Sequence, residues 1–225
     1  MSRKFLVGRV SLLLMVAMAS SATAEEKGKN LLHSFKRLQL SDKFYCEGAH
    51  FGDFNHDGKM DIVSGPCWYA GPAFTERHEY YAPQAYDIAV YSENFLTFTH
   101  DVNKDGWDDI IVIGFPGKEA LWYENPQGKS GNWPRHVAID VCDNESPTVV
   151  DITGDGVPEL VCDSGGRAVY AEIPKDDPTK PWTVHAITDK RGYERFTHGM
   201  GVGDVNGDGQ MDLLQKEGWF EQPAA

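Results

Sequence analysis

The sequence carries little positive charge for its size. Its 225 residues include 21 lysines and arginines against 34 aspartates and glutamates, which gives a formal net charge of −13. Proteins that bind nucleic acid carry a basic footprint, so this balance argues against a nucleic-acid partner. The sequence also lacks a glycine-rich phosphate loop and a G-x-S-x-G motif. It therefore gives no support to nucleotide hydrolysis or to that type of serine hydrolase.

Long apolar runs are missing as well, and the one short run lies near the N-terminus. Residues 10–19 follow a basic segment that ends at Arg9 and precede the sequence Ala-Thr-Ala at 22–24. This is the order of a secretory signal peptide, and the run is shorter than the roughly 20 residues of a membrane-spanning helix. We expect residues 1–24 to be removed and the protein to be secreted, periplasmic or on the cell surface, without membrane contact after cleavage. An uncleaved membrane anchor is the alternative.

What the chain has instead is an acidic nine-residue pattern, D-x-[N/T]-x-D-G-x-x-[D/E], in four copies. The copies begin at Asp53, Asp101, Asp151 and Asp204, so they recur about every fifty residues. Positions 1, 3, 5, 7 and 9 of the four copies are, in chain order, Asp53, Asn55, Asp57, Lys59, Asp61; Asp101, Asn103, Asp105, Trp107, Asp109; Asp151, Thr153, Asp155, Val157, Glu159; and Asp204, Asn206, Asp208, Gln210, Asp212.

Alternating oxygen-bearing side chains of this kind are typical of calcium loops. Ca²⁺ takes about six to eight oxygen ligands, and the side chains at positions 1, 3, 5 and 9 could supply most of them. Position 7 varies from lysine to valine, so only its backbone carbonyl could be a shared ligand. We expect up to four Ca²⁺ ions, whose eight positive charges would offset about half of the −16 left after removal of Arg3, Lys4 and Arg9 with residues 1–24. Metal-free acidic turns are the alternative, because Asp, Asn and Gly favour turns in any case.

The residues that follow each loop indicate strands, not the helices of an EF-hand. Position 12 is never the closing glutamate of an EF-hand, and the residues after position 9 are apolar and β-prone, as in Ile110–Ile113. Each repeat then continues with an aromatic segment, such as Leu121-Trp122-Tyr123, and with a strand that carries His78, His136 or His185. Four strands in a repeat of about fifty residues predict a blade of a β-propeller.

The predicted all-β fold has four such repeats, at roughly 31–78, 79–136, 137–185 and 186–225. Residues 31–40 resemble the histidine strand, and an N-terminal strand of this kind could complete the last blade and close a ring of four. The alternative is that these are the first four blades of a larger propeller.

The loops, together with Phe51-Gly52 before the first and Gly65-Pro66 after it, resemble FG-GAP/VCBS repeats, as in the integrin-α-type propeller. More narrowly, the segments DNESPTVVDITGDGVPELVC and RFTHGMGVGDVNGDGQMDLLQKEGWFEQP are similar to secreted FG-GAP proteins of planctomycete-type bacteria. This resemblance implies a propeller of about seven blades. The third loop departs from the family pattern at Thr153 and Glu159, so we expect it to have the weakest affinity for calcium.

Four cysteines form two local pairs in the sequence, each bracketing one acidic loop: Cys46 with Cys67, and Cys142 with Cys162. Exported proteins meet an oxidising compartment, so two disulfides are expected. Two pairs of unpaired core thiols are the alternative.

Candidate ligand-binding residues lie on the segments just upstream of the loops, which are polar for strands at the centre of a propeller. Convergent polar groups in a concavity are the usual sign of a binding site. The candidate pocket residues are Glu47, His50, Glu93, Asn94, Asp143, Asn144, Glu145, Arg195 and His198.

Two functions of different classes fit this pattern. The first is a calcium-stabilised module that binds a protein or a glycan, with structural Ca²⁺ in its loops. The second is a carbohydrate-active lyase or dehydratase in which Glu145 and His198 transfer a proton. The sequence favours the binding module, because no residue set in it requires catalysis.

Overall fold

The computed structural model describes residues 35–223. The chain divides into two units, residues 1–38 and 39–225, and all strands belong to the second. The predicted signal peptide lies outside the described residues. Within the described residues there is no helix, and hence none that is long and apolar enough to cross a membrane.

The second unit consists of four antiparallel sheets in series, and within each sheet the strand order follows the chain order. The first sheet comprises β1 (Ala49–Gly52), β2 (Asp61–Ser64), β3 (Cys67–Tyr69) and β4 (Arg77–Glu79), and the second comprises β5 (Leu96–His100), β6 (Asp109–Ile113), β7 (Lys118–Tyr123) and β8 (Arg135–Cys142). The third comprises β9 (Thr148–Val150), β10 (Glu159–Ser164), β11 (Arg167–Glu172) and β12 (Thr183–Ala186), and the fourth comprises β13 (Gly201–Gly203), β14 (Asp212–Gln215) and β15 (Gly218–Phe220).

Each acidic loop joins the first two strands of a sheet, and the aromatic and histidine strands follow. This is the predicted order, so the all-β fold of blade-like sheets is confirmed. The register also confirms the aromatic segment that the sequence indicates for the third repeat, Val169-Tyr170. Tyr170 pairs with His185 as Trp68 pairs with His78 and Trp122 with His136. Tyr170 thus takes the place of tryptophan in the third repeat, which also runs on to a proline, Pro174.

The core lies between consecutive sheets, because the second strands are buried on both faces. In β6 the side chains alternate between two neighbours, as the twofold period of a strand requires. Ile110 and Val112 pack on the first sheet beside Phe54 and Trp68. The other face of β6 packs with the third sheet through Ile111, Ile113, Leu160, Cys162 and Val169. A third cluster joins the third and fourth sheets through Ile152, Val161, Tyr193, Met200 and Leu213.

Hydrogen bonds also tie each sheet to the next. The backbone N–H of Trp133 donates to Tyr80 O at 2.9 Å, and that of Trp182 donates to Ala138 O at 2.7 Å. Both tryptophans precede the histidine strand of their sheet, and both side chains are buried. A tryptophan at the equivalent position therefore links the first sheet to the second and the second sheet to the third.

Closure into a ring of four is not observed. Within residues 35–223 the fourth sheet has three strands, and the sheets do not form a closed ring. Residues 35–40 are not in a strand, so this part of the predicted closing strand does not form, and residues 31–34 lie outside the described residues. Pairing requires an extended segment along the edge of β15, and the apolar pattern of 31–40 alone does not ensure one.

The two expected disulfides are also absent, and all four cysteines are free thiols. Cys46 precedes β1, and its Sγ hydrogen-bonds to Gly48 O at 2.9 Å and to the Ser64 hydroxyl at 3.3 Å. Cys67 is fully buried. Burial raises the pKa of Cys46 and Cys67, and the contacting Cys142 thiol, followed by burial, raises the pKa of Cys162, so these thiols stay protonated. The symmetric spacing about a loop failed as a predictor because Cys46 lies outside the strand pair.

Candidate functional site

The first aspartate of each acidic loop organises the loop backbone. In the first loop, Asp53 accepts the N–H groups of Asp57 and Gly58 at 3.0 and 2.8 Å. The aspartates at position 1 of the other loops accept the equivalent bonds at 2.8–3.2 Å. Each position-6 glycine has a φ between 80° and 89°, a left-handed conformation that side chains disfavour. Each loop thus wraps around a carboxylate that retains lone pairs for a cation.

The acidic residue at position 9 has a different role, because it is buried in every loop. Asp61, Asp109, Glu159 and Asp212 are at most 2% exposed. One carboxylate oxygen of each accepts the N–H of position 2 at 2.9–3.0 Å. In three sheets the other oxygen accepts a backbone N–H from the residue before the proline that follows the aromatic strand. These residues are Gly71, Asn125 and Gln222, and the distances are 2.7–2.9 Å. Position 9 therefore fastens the loop to the end of the aromatic strand.

Burial has an electrostatic cost at this position. Loss of water raises the pKa of Asp109 to about 8, and it also raises the pKa of Asp61 and Glu159. The backbone N–H groups act in the opposite direction, because they stabilise the ionised form.

The third loop brings its carboxylates closest together. Among the described residues, Asp151, Asp155 and Glu159 form a group of three whose oxygens lie within 4.8 Å of one another. Glu159 is one methylene longer than aspartate, and its Oε1 accepts the Thr153 hydroxyl at 3.2 Å. The two residues that depart from the family pattern thus contact each other. This geometry gives no reason to rank the third loop as the weakest calcium site.

The donor set of the loops fits a hard cation. The position-5 carboxylates already attract positive groups, since a lysine ammonium lies 3.4 Å from Asp57 and another lies 3.6 Å from Asp155. Carboxylate, amide and hydroxyl oxygens at positions 1, 3, 5 and 9 are the ligand types that Ca²⁺ takes. The N–H groups of the position-7 residues, Lys59, Trp107, Val157 and Gln210, each donate to the position-5 carboxylate.

Of the predicted pocket residues, Glu47, Glu93 and Asn94 lie near the junction of the first two sheets. Glu47 accepts the N–H and the hydroxyl of Ser92 at 3.0 and 2.5 Å. Asn94 is buried, accepts the Thr97 hydroxyl and donates to Tyr81 Oη at 3.2 Å. His50 lies apart from them on β1, where its Nδ1 is 2.8 Å from Thr99 Oγ1 of β5. It ties neighbouring first strands together.

The other five predicted pocket residues lie together beside the third and fourth sheets. Asp143 and Asn144 are buried and hold the backbone of Gly165 and Asp163 at 2.9 Å. Glu145 Oε2 is 2.9 Å from Nδ1 of the exposed His198, so the structure brings this predicted pair into contact. Arg195 is exposed on the same segment as His198.

A concavity beside the first group of these residues was not predicted from the sequence as a whole. A cavity of about 610 Å³ lies beside the first two sheets, and its lining includes Glu93 and Asn94. Four tyrosines contribute to it, Tyr45, Tyr81, Tyr86 and Tyr123. The remaining polar side chains of its lining are Gln84, Lys118, Glu119, Arg135 and Asp140. These residues come from distant parts of the chain without a common period, so no sequence pattern could have grouped them.

The recurrent histidines belong to the framework. His78, His136 and His185 stack on Trp68, Trp122 and Tyr170, with ring centroids 4.0–4.8 Å apart. Each also approaches a glutamate, at 3.1, 3.0 and 2.8 Å. The same arrangement in three sheets explains their spacing as packing of the blade.

One buried carboxylate was not singled out from the sequence. Asp163, at the third and fourth sheets, accepts Gln215 Nε2 at 2.8 Å, while its Oδ2 has no hydrogen-bond partner among the described residues. Burial, followed by the nearby Asp143, raises the pKa of Asp163 to about 6. Its position at the end of an apolar strand gave no signal of this polar network.

Comparison with known proteins identifies the repeat. Residues 101–162 match the family model of the FG-GAP-like repeat. This segment begins with the second acidic loop and includes the whole third loop, so the resemblance is confirmed for it. No curated protein matches the chain. Among solved structures, the chain is similar to an Agrocybe aegerita lectin described as recognising non-reducing terminal N-acetylglucosamine, with 21% identity and a TM-score of 0.48. The match covers 73% of this chain and 46% of the lectin, so the chain spans less than half of that protein's length.

Proposed function

We propose that this FG-GAP-repeat chain is an exported, calcium-stabilised module that binds a glycan in the tyrosine-lined cavity and performs no chemistry on it. The observation that carries the proposal is the cavity's lining, which combines four tyrosines with amide and charged side chains. A sugar ring presents apolar C–H faces and a rim of hydroxyls, so it needs both kinds of contact. Binding sites of this sort are largely preformed and contain a few convergent polar groups.

The tyrosines are held in place before any ligand arrives. Tyr81 and Tyr123 stack with their centroids 5.2 Å apart and their planes 21° from parallel. Asn94 donates to Tyr81 Oη, which fixes the phenol. Burial raises the pKa of Tyr81 and of Tyr123, so both remain protonated and can donate hydrogen bonds to sugar hydroxyls. Rigid aromatic groups with a polar tip are effective recognition elements, because little side-chain entropy is lost on binding.

The same lining disfavours catalysis. The described residues that form it include no histidine, serine, threonine or cysteine, and of its three carboxylates, Glu93, Glu119 and Asp140, Glu119 is paired with Arg135. The raised pKa values of Tyr81 and Tyr123 oppose formation of a tyrosinate base at those two positions. Its polar groups therefore suit hydrogen bonding and ionic contact with a ligand.

In this proposal calcium stabilises the fold and does not contact the ligand. Positions 1, 3, 5 and 9 of each loop would hold the ion, which would neutralise carboxylates that otherwise repel one another. In the second sheet the loop precedes β6, whereas the cavity-lining Gly114, Gly117 and Lys118 follow it. The lining also includes Tyr123, which pairs with Ile110 beside the loop. None of the loop residues 101–109 lines the cavity, which favours a structural role for the metal.

A lyase or dehydratase is the second candidate, and one observation favours it. Glu145 and His198 are in contact at 2.9 Å, the distance at which a proton can pass between a carboxylate and an imidazole. The His198 side chain is 74% exposed, however, so bulk water competes for the proton. We therefore rank binding first.

The binding proposal is tested at Tyr86, which lines the cavity from an exposed segment and is only half-buried. Replacing Tyr86 with alanine should weaken the affinity for a glycan identified on an array about tenfold, or about 1.4 kcal/mol. Isothermal titration calorimetry measures the change. Trp219→Ala is the matched control, because Trp219 is an aromatic residue of similar exposure on the fourth sheet, and its substitution should leave the affinity unchanged.

Equal affinities for the wild type and the Tyr86 variant would refute the cavity as the site. If the wild type bound proteins but no glycan, the ligand would be a protein and the glycan proposal would be wrong. Appearance of an unsaturated sugar product on incubation with an acidic polysaccharide, lost in Glu145→Ala, would favour the lyase.

A further inference from the structure

Arg195 is a surface arginine held in an unusual way. Its guanidinium carbon lies 4.9 Å from the ring centroid of Phe115 and 4.7 Å from that of Phe196. Phe115 belongs to the turn between β6 and β7 of the second sheet, whereas Arg195 and Phe196 precede the fourth sheet. Two rings from different repeats therefore make cation–π contacts with one guanidinium.

The backbone around the arginine is fixed as well. Gly117 takes a φ of 85°, and a Cβ there would lie 3.1 Å from Arg195 Cδ, so a glycine makes room for the side chain. Phe196 has a φ of 68° and donates its N–H to Asp143 O at 2.9 Å, while Glu145 N–H donates to Thr197 O at 3.0 Å. The segment that presents Arg195 is thus tied to the polar strand entry of the third sheet.

Despite this support, Arg195 has no acidic partner. Among the described residues, no carboxylate forms an ion pair with Arg195, and its side chain lies against the two aromatic rings and Gly117. The nearby acids point elsewhere: Glu145 pairs with His198, and Glu194 Oε1 lies beside Gly166. A guanidinium has five N–H donors in a planar fork that matches a carboxylate. Its donors are therefore free and already oriented.

Further aromatic rings pack against Phe115, and part of this cluster is open to solvent. Phe115 also contacts Tyr91 and Phe95, with centroids 5.2 and 6.0 Å apart. Tyr91 is 62% exposed and Phe196 is 42% exposed. The result is a cluster of rings around one unpaired cation. The adjacent Gly117 and Lys118 also line the tyrosine cavity, so the cluster lies next to that cavity.

We propose that Arg195 binds the carboxylate of a uronic-acid residue in the glycan, while the surrounding rings contact the faces of the sugar. This inference rests on the proposed glycan-binding function and adds that the ligand is acidic. An acidic peptide would also satisfy the guanidinium. The exposed rings of Phe196 and Tyr91 near the cation favour a sugar, because a pyranose carboxylate projects from the edge of a ring whose C–H face can stack.

The test compares polygalacturonate with its fully methyl-esterified form, which has the same backbone without the negative charge. Arg195→Ala should weaken binding of polygalacturonate to the purified protein about tenfold or more, since charge-assisted hydrogen bonds are lost. Arg195→Lys should restore only part of the affinity, because lysine lacks the bidentate fork. Arg191→Ala is the matched control: Arg191 also lies over a ring, that of Phe220 at 5.1 Å, but is paired with Asp189.

Binding to the esterified polymer should be unaffected by Arg195→Ala. If the wild type binds the acidic and esterified polymers equally and the substitution changes neither, the inference is wrong while the glycan-binding function stands. If the wild type binds no glycan, both fail. Binding of polyglutamate with the same dependence on Arg195 would assign the site to acidic peptides and overturn the sugar assignment.

Discussion

Asp109→Ala is expected to lower the free energy of unfolding by about 2–6 kcal/mol, because it leaves two buried N–H groups without an acceptor at about 1–3 kcal/mol each. Asp109 is fully buried, and its two oxygens accept the N–H groups of Val102 and Asn125 at 2.9 and 2.7 Å. A loss of this size is a large part of the 5–15 kcal/mol by which domains are stable. Urea denaturation followed by tryptophan fluorescence measures it.

Asp105→Ala is the matched control within the same loop. Asp105 is exposed and accepts the N–H of Trp107 at 2.9 Å, which water can replace after substitution. In the presence of a chelator, Asp105→Ala should therefore change stability little, whereas Asp109→Ala should remain strongly destabilising. With calcium present, both should destabilise, because both remove a proposed ligand. Equal effects of the two substitutions in the chelator would refute the structural role assigned to position 9.

Removal of calcium is expected to lower the melting temperature by about 5–11 °C for each occupied site. An ion present at a hundred times its dissociation constant stabilises the folded state by about 2.7 kcal/mol, and 1 kcal/mol corresponds to about 2–4 °C in a domain of this size. Differential scanning calorimetry before and after EDTA measures the shift. Excess Ca²⁺ should reverse it. Mg²⁺ should restore less, because it requires tighter octahedral geometry and gives up water reluctantly.

A melting temperature that is indifferent to the chelator would mean that the loops hold themselves together through their own hydrogen bonds. In the first loop, hydrogen bonds such as those from the N–H groups of Asp57 and Gly58 to the Asp53 carboxylate would then have to stabilise the loop without a metal.

The sequence predicted features whose signals are local. The acidic loops, the apolar strands after them and the histidine strands follow from residue types within about ten positions, and the structure has them in the predicted order. Pro174 escaped the pattern because the aromatic–proline motif was defined by tryptophan, and the strand register shows Tyr170 in the place of Trp68 and Trp122.

Features made by distant segments were less accessible. The tyrosine cavity joins residues from before β1, from the 81–86 segment and from β7, and the rings around Arg195 come from two repeats. The expected Cys46–Cys67 disulfide is absent because the Cys46 thiol is hydrogen-bonded to Gly48 and Ser64, whereas Cys142 and Cys162 do lie in contact, as free thiols. The polar segments upstream of the loops did indicate Arg195 and the contact of Glu145 with His198. They could not show that the nine residues divide into separate groups.

The most direct test of the account is a count of bound calcium. The purified protein, dialysed against micromolar Ca²⁺ and measured by atomic emission, should carry about four ions per chain, one for each acidic loop. Asp155→Ala should lower the count by one, since Asp155 belongs to the group of three carboxylates within 4.8 Å in the third loop. A wild-type protein without bound calcium, or an unchanged count in that variant, would contradict the assignment of these loops as calcium sites.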